Sequence, residues 1–322
     1  MARGLRCLLA ALAFLASGTA VAASCCGGGG GGAPVLPKDG AVLWDLNAAV
    51  EHYHGFWAQD GRWLPDPPGA RLSQYRLTPG HARRLGDRWQ AYATLPLVVN
   101  RNHYSGREAD TEGPGDLSLG LWYETFDEAT CVYKVRRPAD LRPSIYLGAG
   151  LVVPTGISPY DEVGDNFAIT GRGFYRLDLS FDIEKTVYPW SVQLRLGYGR
   201  HFQRPVNREY GVYVAPYRLR LGDRRSLSLT LGYTWFLPNL AQLTLTGGYS
   251  DLREGRARID GRLDPTTGLV RRSFSLSWAY SPAHRRWNAR FSWGHAPRRD
   301  GWGENFPATD VFTLGVSHVL FL

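Results

Sequence analysis

Hydrophobic and polar residues alternate one by one over most of this chain. The stretch from Arg88 to Phe126 shows the pattern most clearly, because two apolar faces there flank a polar segment. The first face carries Trp89, Ala91, Ala93, Leu95, Leu97 and Val99, and the second carries Leu117, Leu119, Leu121 and Tyr123. A period of two is typical of a β-strand with unlike faces. An apolar band about ten residues tall, with aromatic rings at its rim, is what a transmembrane β-hairpin requires.

Alternating runs recur along the rest of the chain. They cover residues 42–51, 72–81, 89–100, 117–124, 144–153, 175–183, 192–199, 227–235, 243–246, 273–280, 287–293 and 312–322. We predict an all-β fold, a transmembrane antiparallel β-barrel of about 12 strands, or of 14 if the Pro-rich regions contain a further hairpin. A secreted β-sandwich also alternates. The near-constant length of the apolar faces, with Trp or Tyr near their ends, favours the membrane.

The connections between these runs alternate in length. Short turns are predicted at 85–88, 184–189, 238–241 and 281–285, and long loops at 58–70, 101–115, 155–171, 251–268 and 295–309. Outer-membrane barrels place short turns in the periplasm and long loops outside. Residues 127–143 are an exception, a long connection on the periplasmic side. An even strand number requires that 210–221 belong to a loop or extend the next strand. Pro96 removes a ladder hydrogen bond and predicts a local bulge.

The N-terminal region has the composition of an export segment. Residues 1–23 combine Arg3 and Arg6, an apolar core and small residues at a cleavage site, which predicts a signal peptide. Residues 24–38 are a Cys- and Gly-rich stretch that we predict to be a flexible tether, and residues 39–322 form the barrel. Cys25 follows a lipobox-like sequence and is a lipidation candidate. A Cys26–Cys131 disulfide and plain thiols are the alternatives.

Charge and composition limit the classes of binding partner to be expected. The formal net charge is +8, carried by single arginines rather than by a basic block, so nucleic-acid binding is not expected. Basic residues at a barrel rim suit anionic lipid headgroups. We therefore expect outer-membrane lipid, lipopolysaccharide and the barrel-assembly machinery as partners. No metal site and no cofactor are expected.

Several segments carry a resemblance to a known family. They are LPLVVN at 95–100, GDLSLG at 115–120, LGAGLVVPTG at 147–156 and LGYG at 196–199. Over residues 85–235 the chain resembles bacterial outer-membrane transporters grouped with the meta-pathway phenol-degradation family. The resemblance implies an outer-membrane barrel that passes small hydrophobic or aromatic compounds. It does not specify the solute.

Strand parity assigns polar side chains to the inside of the barrel. These candidates are Asp45, Asn47, Glu51, Gln90, Tyr92, Glu124, Arg176, Asp178, Asp182, Gln193, Arg195, Asn288 and Arg290. They could form a polar track for a solute, or a structural ion-pair network in which Arg195 pairs with Asp178 or Asp182, because unpaired buried charge is costly. The aromatics expected at the membrane interface are Trp44, Trp89, Tyr123, Trp235, Trp278, Trp287 and Trp293.

One pair of residues suggests an enzyme. His103 and Ser105 lie two residues apart, hence on one face of an extended strand, above the apolar band. Outer-membrane lipid hydrolases use a similar His-x-Ser-Asn arrangement, but Gly106 stands where the Asn would be, and a catalytic base needs an orienting group. We therefore expect a channel or transporter for small molecules rather than an enzyme. The alternatives are an outer-leaflet lipid hydrolase and a structural envelope barrel.

Overall fold

Twelve antiparallel strands close into a barrel in the computed structural model, which describes residues 34–104, 106–126, 131–164 and 168–321. In chain order the strands are β1 (Gly40–Trp57), β2 (Arg71–Arg84), β3 (Trp89–Thr94 with Leu97–Tyr104), β4 (Arg107–Pro114 with Leu117–Glu124), β5 (Ser144–Val153), β6 (Arg176–Val187), β7 (Trp190–His201), β8 (Arg224–Phe236), β9 (Gln242–Glu254), β10 (Leu269–Ser281), β11 (Trp287–His295) and β12 (Phe306–Phe321). Neighbours in sequence pair with one another, and β1 pairs with β12 to close the ring. The predicted count of 12 is confirmed, and the alternative of 14 is wrong.

The outer surface of the barrel is apolar. Leucines and aromatic rings on alternate positions remain exposed, as shown by Leu231 at 54% and Leu314 at 64%. Of the predicted interface aromatics, Trp44, Trp89, Trp235, Trp278, Trp287 and Trp293 are exposed. The rings of Trp89 and Tyr123 lie 4.8 Å apart at one edge of the apolar band. This surface suits lipid and not water. No helix in the described part of the chain is long and apolar enough to cross a membrane.

Two adjacent strands are interrupted at the same height. Strand β3 breaks at Leu95–Pro96, and both of its parts pair with β2. Strand β4 breaks beside it, where the Gly115 N–H donates to the Pro96 carbonyl at 2.7 Å. A Cβ on Gly115 would lie 2.7 Å from the Pro96 ring, so only glycine fits there. The irregularity predicted at Pro96 is present as a break shared by both strands.

The strands reach further from the membrane than their apolar runs indicate. The predicted long loop at 101–115 is wrong, because β3 continues to Tyr104 and β4 restarts at Arg107, with register pairing between them. The predicted loops at 251–268 and 295–309 shrink for the same reason, and so does the turn at 184–189. Beyond the membrane both faces of a strand meet water. The backbone ladder can therefore continue after the apolar alternation has ended.

Residues 204–220 form an extracellular hairpin and not a barrel strand. Arg204–Glu209 pairs with Val212–Arg220, and short strands at Arg258–Ile259 and Arg262–Leu263 complete a small sheet. This finding confirms that 210–221 lies outside the barrel wall. Beneath the hairpin a buried apolar cluster contains Phe174, Val206, Leu219 and Ala257. Burial there raises the pKa of Tyr160 to about 12, and the Arg204 guanidinium lies 4.7 Å from its ring centroid.

The long periplasmic connection packs against the barrel end. Cys131–Val132 pairs in parallel with Thr186–Val187, and a 3-10 turn follows at Pro138–Leu141. The predicted signal peptide, Cys25 and Cys26 lie outside the described residues. The cysteine alternatives therefore stay predictions.

Candidate functional site

Large side chains on one wall of the lumen lie flat over glycines of neighbouring strands. The wall runs from β3 to β7, where Tyr92, Gly120 and Gly150 are successive register partners. A Cβ on Gly120 would lie 2.6 Å from the Tyr92 ring, and one on Gly150 would lie 2.7 Å from its hydroxyl. Gly148 is covered in the same way by Trp122, which is 2% exposed. The glycines thus leave room for the rings to lie along the wall.

The charge network expected on this wall is present around Asp182. This carboxylate is 1% exposed and accepts hydrogen bonds from Arg195 at 2.5 and 2.9 Å and from Gln193 at 2.9 Å. The Arg195 guanidinium also lies 5.5 Å from the Trp122 ring centroid. Of the two partners proposed for Arg195, the structure shows Asp182. Asp178 binds Arg176 instead.

A second network bridges β11 and β1 across β12. Arg290 donates to Asp45 at 2.6 and 2.8 Å and to Asn47 at 2.7 Å. Gly315 lies between them on β12, and a Cβ there would lie 2.5 Å from the Asn47 amide oxygen. The missing side chain lets the arginine reach over one strand to the next. Asn288 is separate, since its amide donates to Ser281 at 2.8 Å.

Glu51 forms a third network with residues that the sequence reasoning missed. It is 3% exposed and pairs with Arg76 on β2 and with Arg271 on β10, the latter at 3.3 Å. Strand parity would have assigned both arginines to the inside, since Arg76 lies within the run 72–81 and Arg271 lies just before the run 273–280. The pairing itself depends on register across the barrel, which the sequence does not show.

Part of the predicted tether packs inside the periplasmic end of the lumen. Leu36 is 1% exposed and lies against Leu43, Ala82 and Val319. Its N–H donates to the Gln90 side-chain oxygen at 2.8 Å, and the Gln90 amide donates back to the Leu36 carbonyl at 3.3 Å. Lys38 and Glu124 form an ion pair at 3.2 Å. Residues 34–38 are therefore held against β1, β2, β3, β4 and β12.

The next wall of the lumen, on β8 to β10, carries only small side chains at its central inward positions. They are Ser226, Ser228, Thr230, Gly232 and Thr234 on β8; Thr244, Thr246, Gly248 and Ser250 on β9; and Ser273, Ser275, Ser277 and Ala279 on β10. Some hydroxyls bond across strands, as Thr234 with Thr244 at 2.9 Å. Ser226 and Ser275 are exposed. The lumen is thus lined by large side chains on β3 to β7 and by small ones on β8 to β10.

The outer rim at the extracellular end carries a polar cluster around Asp310. Its carboxylate accepts hydrogen bonds from Trp293 at 3.2 Å, His295 at 2.7 Å and Arg298 at 2.8 Å, and it lies 3.1 Å from the His54 ring. These groups sit just beyond the apolar surface, where lipid headgroups lie.

The catalytic candidate is only partly described. His103 Nδ1 lies 3.6 Å from a carboxylate oxygen of Glu108, its register partner on β4. Ser105 lies outside the described residues. The pairing of nucleophile and base therefore stays a prediction.

Comparison with known proteins agrees with this architecture. No protein-family model matches the chain, and no curated protein matches it in sequence. An outer-membrane channel from Pseudomonas putida F1 superposes with a TM-score of 0.68 at 17% identity, covering 91% of this chain and 99% of that one. The β-domain of the Bordetella autotransporter BrkA gives a TM-score of 0.49 at 10% identity, covering 88% and 100% of the two chains. The fold, which the resemblance implied, is that of an outer-membrane β-barrel.

Proposed function

We propose that this protein is an outer-membrane channel for the passive passage of small molecules. The observation that carries the proposal is the wall of small side chains on β8 to β10. Serine, threonine, glycine and alanine at every central inward position leave space where larger residues would fill a narrow barrel. The hydroxyls of Ser226 and Ser275 are exposed, so they can offer a passing polar solute hydrogen bonds in place of those it made to water.

The packed wall supports the same proposal by confining the path. The carboxylates of Asp182, Glu51 and Asp45 are each held by an arginine on another strand. Carboxylates and guanidinium groups that are paired so closely make the wall rigid and leave little unneutralised charge in the lumen. Residues 34–38 contact β1, β2, β3, β4 and β12 and narrow the lumen on that side. The family resemblance makes hydrophobic and aromatic solutes the first class to test.

The test is the conductance of the purified protein in planar lipid bilayers. The wild type is compared with two variants that each add a tryptophan to β9, one on its inward face and one on its lipid-facing side. Thr246→Trp places an indole in the proposed path and is expected to lower single-channel conductance at least twofold. Leu245→Trp adds the same group one residue away on the lipid-facing side, and the conductance is expected to stay at the wild-type value. Swelling of proteoliposomes in benzyl alcohol or glycerol extends the comparison to uncharged solutes.

Two outcomes would contradict the channel. One is a wild-type protein that conducts no more than the bare bilayer. The other is equal conductance for Thr246→Trp and Leu245→Trp, which would place the path elsewhere or show that there is none. A hydrolase would instead release fatty acid from phospholipid or lipopolysaccharide, and Ser105→Ala would abolish that release.

We also infer that lipopolysaccharide is the lipid at the extracellular rim. The cluster of His54, His295 and Arg298 around Asp310 offers cationic and hydrogen-bonding groups at headgroup height. Arg298→Ala is expected to reduce the lipopolysaccharide that co-purifies with the barrel, measured by its phosphate content. Unchanged lipopolysaccharide content in Arg298→Ala would contradict this inference.

A further inference from the structure

Three arginines gather at the extracellular end of the lumen around two carboxylates. Arg172 donates to Glu254 through both terminal nitrogens, at 2.5 and 2.8 Å. Arg176 donates to Asp178 at 2.7 and 2.8 Å. Arg224 is the register partner of Glu254 and lies close enough to Arg172 and Arg176 to be repelled by both. The five residues therefore hold one more positive than negative charge (3 − 2).

Glu254 and Asp178 attract Arg224, but neither carboxylate is bonded to it. Among the residues that the structure describes, its guanidinium makes no hydrogen bond and no ion pair, while both carboxylates are already engaged in two hydrogen bonds each. The residue lies on the inward face of β8 and is only partly exposed. A guanidinium presents five N–H donors, and leaving them without acceptors in a confined space is costly.

A second unsatisfied group lies beside the same arginines. His201 is 2% exposed, and its Nδ1 lies 2.8 Å from the Gly222 carbonyl oxygen. Since a carbonyl only accepts, Nδ1 carries the hydrogen, and Nε2 is buried without a partner in the described part of the chain. The ring lies within electrostatic reach of Glu254, Arg172 and Arg176.

A cavity lies next to this cluster at the extracellular end. Its volume of about 530 Å³ suits a small organic molecule, and Glu254 lines it, whereas Arg224 does not. The arginines that line it are Arg220, Arg225, Arg253, Arg256 and Arg258, against the acids Asp223, Glu254 and Glu304. Next to His201, at 6.3 Å between ring centroids, lies Phe174 of the buried apolar cluster.

We propose that Arg224, flanked by Arg172 and Arg176, binds the carboxylate of small organic acids as they enter the lumen. The planar fork of a guanidinium matches a carboxylate through two parallel hydrogen bonds. The arginines that line the neighbouring cavity attract anions to this end of the barrel. This subsite gives a substrate class to the proposed channel. It rests on that function for its role in transport, and binding can be measured separately.

The test is equilibrium dialysis of the folded, full-length protein in detergent against radiolabelled benzoate. Wild-type protein is expected to bind benzoate saturably. Octanoate, which shares only the carboxylate and an apolar body, is expected to displace it. Benzyl alcohol, which has the ring but no charge, is expected to leave the bound benzoate in place.

Variants at two arginines locate the subsite. Arg224→Gln is expected to weaken benzoate binding at least tenfold, and Arg224→Lys to weaken it less, because lysine keeps the charge but lacks the fork. Arg200→Gln is the matched control, since Arg200 is exposed on β7, the neighbouring strand, and lies outside the cluster. Faster gel migration of the unheated protein verifies that each variant is folded.

Three results would overturn the subsite: no saturable binding of benzoate by the wild type, displacement by benzyl alcohol, or unchanged affinity in Arg224→Gln. If Arg224→Gln does not fold, the competition on wild-type protein decides alone. A wild type that binds benzoate but does not conduct refutes the channel and keeps the subsite. A wild type that conducts but does not bind benzoate refutes the subsite and keeps the channel.

Discussion

A single methyl group at Gly148 tests how the packed wall of the lumen is built. A Cβ there would lie 2.6, 2.8 and 3.0 Å from atoms of the Trp122 ring. The ring is 2% exposed. Overpacking of this kind costs about 1–3 kcal/mol, whereas alanine at an unobstructed strand glycine gains about 0.5–1 kcal/mol. We expect Gly148→Ala to lower the free energy of unfolding by a net ~1–2 kcal/mol.

The measurement is urea unfolding of the barrel in lipid vesicles, with the folded fraction read from the faster gel migration of the unheated protein. With a slope of about 2 kcal/mol per molar urea, the midpoint of Gly148→Ala should fall by roughly 0.5–1 M. Gly294→Ala is the control. Gly294 is also an inward strand position, but the nearest heavy atom to its added Cβ is 3.8 Å away, so no loss is expected.

An equal midpoint for Gly148→Ala and Gly294→Ala would refute the reasoning. A double-mutant cycle adds a sharper condition. Trp122→Phe removes the part of the indole that lies over Gly148, so combining it with Gly148→Ala should cost less than the sum of the two single changes. Additive effects would show that Gly148 and Trp122 are not coupled.

Three further predictions follow from the contacts described. Arg195→Ala leaves the buried Asp182 carboxylate without its cation and should lower the free energy of unfolding by about 3 kcal/mol in the same urea assay; an unchanged midpoint would contradict the network. Gln90→Leu removes both hydrogen bonds to Leu36 and should raise single-channel conductance by releasing residues 34–38, with equal conductance as the contrary result. Arg204→Ala removes the contact with Tyr160, so trypsin should cleave the extracellular hairpin faster in intact outer-membrane vesicles; an unaltered cleavage rate would show that the contact does not hold the hairpin.

The barrel could be predicted from sequence because lipid imposes a local pattern. Every strand inside the membrane must present alternate residues to hydrocarbon, so strand number and face follow from a period of two. Outside the membrane a strand need not present alternate residues to hydrocarbon. The extension of β3 and β4 into 101–115 was therefore not predicted. The packing of Leu36 was also missed, because a single leucine next to a glycine run does not indicate what it contacts.

The contacts inside the lumen depend on register around the closed sheet. Arg195 and Asp182 belong to one hairpin, so their pairing could be proposed from strand parity. Arg290 and Asp45 are 245 positions apart and meet only because β12 closes against β1. Neither composition nor periodicity contains that information. Arg224 was not among the predicted inward-facing residues for another reason, because it lies outside the apolar run of its strand.

The uneven lumen has a mechanical consequence. Strands β3 to β7 are braced from inside by interlocked rings and ion pairs. At the central inward positions of β8 to β10, only the backbone ladder and a few hydroxyl bonds join the strands. A solute wider than the resting bore would push against both walls equally, but only the unbraced one can bend. In the proposed channel, the compliance of the bore, and hence its upper size limit, would therefore depend on three strands and not on the barrel as a whole.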